Sequence, residues 1–229
     1  GMALQGFIPV VAIYSTFLQR AFDQVIHDVA LQNLPIVFVM DRGGLVGEDG
    51  PTHHGSFDLS YLRMVPNLVL MAPRDGSELR DMLYTAVRRG KGPVAIRYPR
   101  GETREPLAAG GVFREIPVGR WETLKKGETV AILAVGDLVE TALEAAELLE
   151  KASITTGVFN ARFIKPMDER LLESVFRQYP VVVTLENNTV IGGFGGGVAE
   201  FAAEKAPGTV FRRFGLPDRF VTHGHLKDL

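Results

Sequence analysis

The sequence predicts an α/β protein of two domains, each a mostly parallel sheet flanked by helices. Short runs that are apolar at every position recur along the chain, and stretches of helical periodicity separate them. A strand apolar throughout is buried on both faces, which is how a parallel sheet covered by helices reads. Near mid-chain, Pro99, Gly101, Pro106, Gly110, Gly111 and Pro117 break one alternating series before another begins; such a cluster marks a linker. The expected division is a first domain over 1–104, a linker over 105–118 and a second domain over 119–229.

The elements follow in order. Ile8 to Ile13 is a buried strand. Thr16 is placed to cap a helix, with Gln19 completing a capping box. Leu18, Phe22, Val25 and Val29 share that helix's inner face. Pro35 starts the strand IVFVM, and a glycine-rich loop runs from Arg42 to Gly55. NLVLMA (67–72) is a strand, and Asp75 with Glu78 caps a second helix that Gly90 ends. Pro93 opens VAIRY. Past the linker come TVAILAV (129–135), an acidic helix from Asp137 to about Lys151, TTGVF (155–159), a helix from Asp168 and VVVTLE (181–186). A helix after the glycines and a strand near Val210 close the pattern. The opening residues, GMALQGF, read as a helix without a capping signal, so we expect a piece of a longer polypeptide.

Composition narrows the function. The 229 residues carry 25 Lys and Arg against 27 Asp and Glu, a net charge of −2. No basic field draws nucleic acid or an anionic membrane. The absence of cysteine removes disulfides and thiolate chemistry and fits a reducing compartment. No apolar run reaches the ~18 residues of a membrane span, and the N-terminus lacks signal-peptide features. A soluble cytoplasmic protein is expected.

Candidate chemistry collects at predicted strand ends. His53 and His54 stand in GEDGPTHHG, with Asp49 four residues before His53, in a loop that follows IVFVM directly. Loops at the carboxyl ends of parallel strands bind ligands in α/β proteins. An imidazole beside a carboxylate is a candidate acid–base group, against a structural Asp–His bond in a tight turn. Neighbours in an extended loop point opposite ways, so a ligand-facing His53 leaves His54 turned away and tolerant of change. Arg42, Arg97 and Arg100 each end a strand; their convergence suggests an anionic substrate, since guanidinium forks bind carboxylates and phosphates. Tyr14 and Phe17 could line a slot for a flat ring and Arg20 could reach an anion, although Phe17 also suits a hydrophobic staple under the helix. The run Gly192–Gly197 fits neither a dinucleotide fingerprint nor a P-loop and reads as a close-packing turn. His27 reads as a surface or core-edge residue, and His223 and His225 as a disordered tail.

Several segments together carry a family resemblance. YSTFLQRAFDQVIHDVALQNLP, DRGGLVGEDGPTHHGSFDLSYLR and RYPRG, in that order and spacing, resemble the 1-deoxy-D-xylulose-5-phosphate synthase family. FNARFIKPMD and ENN…GGFGGG resemble its transketolase-type C-terminal domain. The resemblance implies a thiamine diphosphate enzyme that condenses pyruvate with D-glyceraldehyde 3-phosphate, releases carbon dioxide and serves isoprenoid, thiamine and pyridoxal synthesis. It implies that Phe17 stacks on the aminopyrimidine ring. Tyr14, Arg20, Asp49 and His53 would surround the lactyl adduct and acceptor, and Arg42 and Arg100 would hold the glyceraldehyde phosphate. It also implies that the catalytic glutamate and the groups binding diphosphate and Mg2+ lie upstream of Gly1, that Gly136-Asp137-Leu138 is not the metal motif, that further residues follow the tail, and that the enzyme is a homodimer. A non-catalytic dimerisation fragment and another thiamine enzyme, a transketolase or a 2-oxoacid dehydrogenase beta subunit, remain as alternatives.

Overall fold

A computed structural model describes residues 1–103 and 111–229; the first six residues of the expected linker, 105–110, lie outside the described residues. The first sheet takes the strands β1 (Val10–Tyr14), β2 (Val37–Asp41), β3 (Val69–Met71) and β4 (Val94–Arg97) in the order β1-β2-β4-β3, all parallel. The second is ordered β10-β9-β6-β7-β5, from β5 (Glu122–Lys125), β6 (Val130–Ala134), β7 (Thr156–Asn160), β9 (Val181–Thr189) and β10 (Val210–Leu216). It is parallel except for β5. β4 is buried at every residue and β6 at all but its first, as all-apolar runs between helical layers require. The reading of Ile8 to Ile13 as a buried strand is corrected: β1 lies at the sheet edge, with Val10, Val11 and Ala12 exposed and Ile13 and Tyr14 half-buried.

One strand crosses between the halves. β8 (Phe163–Lys165) begins two residues after β7 leaves the second sheet and pairs antiparallel with β3 in the first. Phe163 is fully buried there, and its carbonyl accepts the Trp121 indole N–H at 2.8 Å. The sequence signals missed β5 and β8 because both are short, and β8 also lies just before a proline. They missed the six-residue helix α3 (Asp58–Arg63), too brief to show a period.

The helical signals held where a cap is chemically strong. Asp75 caps α4 (Gly76–Arg89) by accepting the Glu78 N–H at 2.8 Å, and Gly90 ends it in the left-handed conformation. Asp168 caps α6 (Glu169–Gln178) through Leu171 N–H. The Thr16 capping box is corrected. The helix begins at Ser15, Thr16 lies inside it, and the Thr16 hydroxyl donates to the Thr52 carbonyl at 3.0 Å. The run continues irregularly through α1 (Ser15–Leu18), a 3-10 turn (Gln19–Ala21), α2 (Phe22–Gln24) and a π-helical turn (Val25–Ala30). Leu18, Val25 and Val29 nonetheless reach the core. α5 (Leu138–Lys151) and α7 (Phe194–Lys205) complete the helices of the second half.

A buried charge pair sits where the halves meet. Arg97, at the end of β4, and Asp58, at the start of α3, are 1% and 0% exposed, with Nε 3.3 Å from Oδ2. Ser15 Oγ also donates to Asp58 Oδ2, at 2.7 Å. Arg97 Nη2 donates to the Asn187 carbonyl of β9. Arg97 is therefore not one of the substrate arginines that its strand-end position suggested. Removing one member of such a pair strands a charge in the interior, at a cost of about 3–5 kcal/mol. Arg97→Met should lower the unfolding free energy by about that amount, and adding Asp58→Asn should recover at least half of the loss. Urea denaturation of the two variants checks both expectations.

Candidate functional site

The carboxyl ends of β1, β2 and β4 face one surface, and the candidate residues stand on it. Tyr14 ends β1; its ring stacks on Phe17 with centroids 5.4 Å apart and planes 17° apart. Phe17 is 40% exposed, so it is no staple under the helix. Arg42 follows β2, and its guanidinium carbon lies 3.9 Å from the centre of the Tyr14 ring. Asp41 holds the same guanidinium at 2.9 Å, and Arg42 Nε is buried without a partner.

The loop from Gly43 to Gly55 brings His53 beside this group. It folds back so that Gly44 and Gly55 exchange two backbone hydrogen bonds of 2.8 Å. Gly43 lies flat against Arg97, where any Cβ would enter the Arg97 side chain. His53 stands edge-on to Phe17 at 5.5 Å, with Nδ1 2.9 Å from Thr52 Oγ1. Asp49 pairs with Arg100 at 3.1 Å, both exposed. Thus Tyr14, Phe17, Arg42 and His53 form one contiguous group of rings and charge, and Asp49 of the loop pairs with Arg100 from the segment after β4. Arg20 is exposed on the 3-10 turn Gln19–Ala21. His27 is exposed beside Asp28.

His54 does turn away from His53, but into the interior. It is 4% exposed; Nδ1 accepts the Val46 N–H at 3.1 Å, which leaves Nε2 to donate to the Thr222 carbonyl at 3.3 Å. The expected tolerance of His54 is therefore corrected, because both ring nitrogens are engaged.

The family models for "Transketolase, pyrimidine binding domain" and "Transketolase, C-terminal domain" match residues 1–106 and 119–229. A solved structure titled "Split gene transketolase, inactive beta4 tetramer" superposes with a TM-score of 0.85 at 31% identity, over 95% of this chain and 70% of that one. The chain belongs to the transketolase family. A transketolase from Pichia stipitis, 23% identical with a TM-score of 0.73 over 96% of this chain and 31% of that one, shares the fold. Among curated relatives, the 1-deoxy-D-xylulose-5-phosphate synthase of Aquifex aeolicus is 58% identical over 98% of this chain and 35% of that protein. Those of Chlorobium phaeovibrioides and Chlorobaculum tepidum are 56% and 54% identical over 100% of this chain and 36% of each. The chain thus spans about a third of the length of the curated relatives it matches.

What this transketolase-family chain adds to the sequence reading is the seam beneath the site. Asn187 Oδ1 accepts the Leu45 N–H, Asn188 Oδ1 accepts the Leu59 N–H, and the Thr189 N–H donates to the Ser56 carbonyl at 2.8 Å. The end of β9 in the second half thereby fixes both flanks of the site loop. A pair of asparagines at a strand end was the available signal. Among the described residues, no group of three or more His, Asp or Glu side chains is arranged to hold a metal ion.

The glycine run opens α7, and its free N–H groups are already taken. The Glu186 carboxylate accepts Phe194 and Gly195 N–H, each at 2.8 Å. An internal anion thus fills the position a phosphate would take at a helix N-terminus. Burial pushes the Glu186 pKa up to about 7, against the downward pull of those two hydrogen bonds and of Arg97 and Arg213. Below pH ~4.5 the carboxyl is neutral whether the chain is folded or not, and above pH ~7 it is ionised in both states. Between those limits the folded chain binds a proton that the unfolded chain does not. Stability should therefore fall as pH rises from ~4.5 to ~7, by on the order of 2 kcal/mol. Burial raises Glu78 in the same direction. Urea midpoints measured across that range should flatten in Glu186→Gln; an unchanged slope would assign the titration elsewhere.

Proposed function

We propose that this chain is part of a thiamine diphosphate-dependent 1-deoxy-D-xylulose-5-phosphate synthase, which joins pyruvate to D-glyceraldehyde 3-phosphate with loss of carbon dioxide. The observation that carries the reading is the 58% identity to a protein of that name over 98% of the chain. Identity over both halves favours it over a transketolase or a dehydrogenase beta subunit. We read 1–104 as part of the pyrimidine-binding domain and 119–229 as the C-terminal domain. The reading includes a cytoplasmic homodimer that serves isoprenoid, thiamine and pyridoxal synthesis.

The residues fit the cofactor's pyrimidine. Phe17 is 40% exposed just past the carboxyl end of β1 and is backed by Tyr14, and an aromatic ring so placed is a partner for a flat heterocycle. When bound, thiamine diphosphate supplies the nucleophilic carbon that attacks pyruvate. Its diphosphate and Mg2+ are assigned to the remaining two thirds of the synthase, together with the carboxylate that contacts the pyrimidine.

This chain's own side chains then serve the substrates. The Arg42 and Arg100 guanidinium groups match the phosphate of the acceptor. Asp49 holds Arg100 through an exposed ion pair, worth about 0–1 kcal/mol, so an incoming phosphate displaces it cheaply. His53, beside Phe17, gives and takes the proton on the acceptor oxygen, the work an imidazole performs near neutral pH. Tyr14 and Asp49 orient the reacting groups, and Arg20 adds positive charge at the entrance. The split-gene neighbour is described as an inactive tetramer, which supports a chain that needs complementing.

The test is to assay the chain alone and complemented by the missing two thirds of a synthase. Alone it should release no carbon dioxide from pyruvate; complemented, it should form the deoxyxylulose product with glyceraldehyde phosphate. Activity with a ketose phosphate donor in place of pyruvate would reassign it to the transketolases. In the complemented enzyme, Arg100→Ala should raise the KM for glyceraldehyde phosphate ~10- to 150-fold and leave that for pyruvate nearly unchanged, the loss expected of one charge-assisted contact. His53→Ala should lower kcat by ~10²-fold. Steady-state kinetics with each substrate varied reads out both.

A further inference from the structure

The segment after β10 is ordered against the site loop. The Gly224 N–H approaches the Gly47 carbonyl at 3.4 Å, and the Thr222 carbonyl accepts from His54 at 3.3 Å. Phe220 stands edge-on to Phe57 at 6.2 Å. His225 Nδ1 lies 3.2 Å from the Glu48 carboxylate, an exposed contact. The cavity left between the segment and the loop is about 10 Å³, room for one water at most. Two glycines of the loop lie where the segment comes closest. A Cβ on Gly50 would stand 3.1 Å from His223 Cβ, and one on Gly47 would stand 3.2 Å from the Gly224 carbonyl oxygen. Both have positive φ, +71° and +83°.

These contacts bracket His53. On one side, Thr16 Oγ1 donates to the Thr52 carbonyl at 3.0 Å. On the other, His54 is held between the Val46 N–H and the Thr222 carbonyl. Among the described residues, the contacts of the His53 ring are Thr52 Oγ1 and the Phe17 ring. Its place above Phe17 is set by its two neighbours in sequence, and one of those is set by the segment.

We propose that residues 220–226 are a strap that positions the loop of Asp49 and His53, with Phe220, Thr222 and His54 as positioning residues. The functional part rests on reading this surface as the substrate site; the mechanical part does not. The strap holds Asp49 against Arg100 and His53 against Phe17, so its loss should loosen the acceptor's contacts while the core stays folded.

Amide hydrogen exchange on the 229-residue chain tests the mechanical part, using wild type, His54→Ala and a chain stopped after Pro217, which keeps all of β10. Exchange over Gly47–Gly55 should rise at least tenfold in both variants and stay unchanged in β2 and β4. Unchanged loop exchange would overturn the strap. An equal rise in loop and core would also overturn it, by reducing the segment to a general contribution to stability. In the complemented enzyme the stopped chain should show a KM for glyceraldehyde phosphate raised ~5- to 10-fold and a KM for pyruvate within twofold of wild type. A smaller amount of active enzyme would move neither KM. A loosened loop with both KM values unchanged would overturn the positioning role. If the complemented wild type makes no product at all, the functional reading fails while the exchange experiment still decides the strap.

Discussion

One buried positive charge organises the centre of this molecule. Arg97 closes β4 with its guanidinium out of water, and a charge there persists only if it is paired and hydrogen-bonded. Asp58 supplies the charge, the Gly55 and Asn187 carbonyls accept further N–H groups, and Ser15 helps hold Asp58. Each partner comes from a different element: the start of α3, the site loop, the end of β9 and the start of α1. Pairing Arg97 through Nε and Nη2, with Nη1 buried and without a partner, fixes how four elements converge. It also explains why residue 43 carries no side chain, since the Arg97 stem occupies that volume.

The site depends on that convergence because its residues lie on loops rather than in the sheet. Tyr14 and Arg42 take their places directly from β1 and β2, which pair in register at Tyr14 and Asp41. His53 and Asp49 have no strand beneath them. They are held through Gly55 against Gly44, Leu45 against Asn187, and His54 against Val46 and Thr222. The second half of the chain thus supports the candidate site through contacts with its loop. Rigid support of a loop that carries reacting groups is what brief, precise contacts with substrate demand.

The fold class was legible because burial on both faces of a strand leaves a plain mark, an unbroken apolar run. The caps at Asp75, Asp168 and Gly90 were legible in principle for a similar reason: one side chain, or one missing side chain, satisfies a local backbone need. Thr16 misled because its hydroxyl had a better use, tying the first helix to Thr52. β8 was hidden because three residues cannot show a period, and its partner β3 is about 90 positions away in sequence. The tail reading failed for a related reason. THGHLKDL has the composition of a frayed end, yet its backbone carbonyls and N–H groups find partners in a loop that only the fold brings near. Local patterns report local physics, and the seam at Asn187 and Asn188 is not local.

Arg97 and Arg100 show how far residue type falls short of role. They are three positions apart, both end the same strand region, and both face an aspartate. Arg97 is 1% exposed and bound to a partner that is fully buried, so separating them would strand two charges in a medium that cannot solvate them. That pair can serve only as structure. The Arg100 and Asp49 side chains are 55% and 40% exposed, and water takes over most of what either loses on separation. That pair can open for an anion and close again afterwards. The difference lies in what covers each residue. The Gly55 turn and β9 close over Arg97, whereas Pro99 carries the chain outward before Arg100. A single proline between two arginines thus marks where this strand end passes from buried framework to exposed surface.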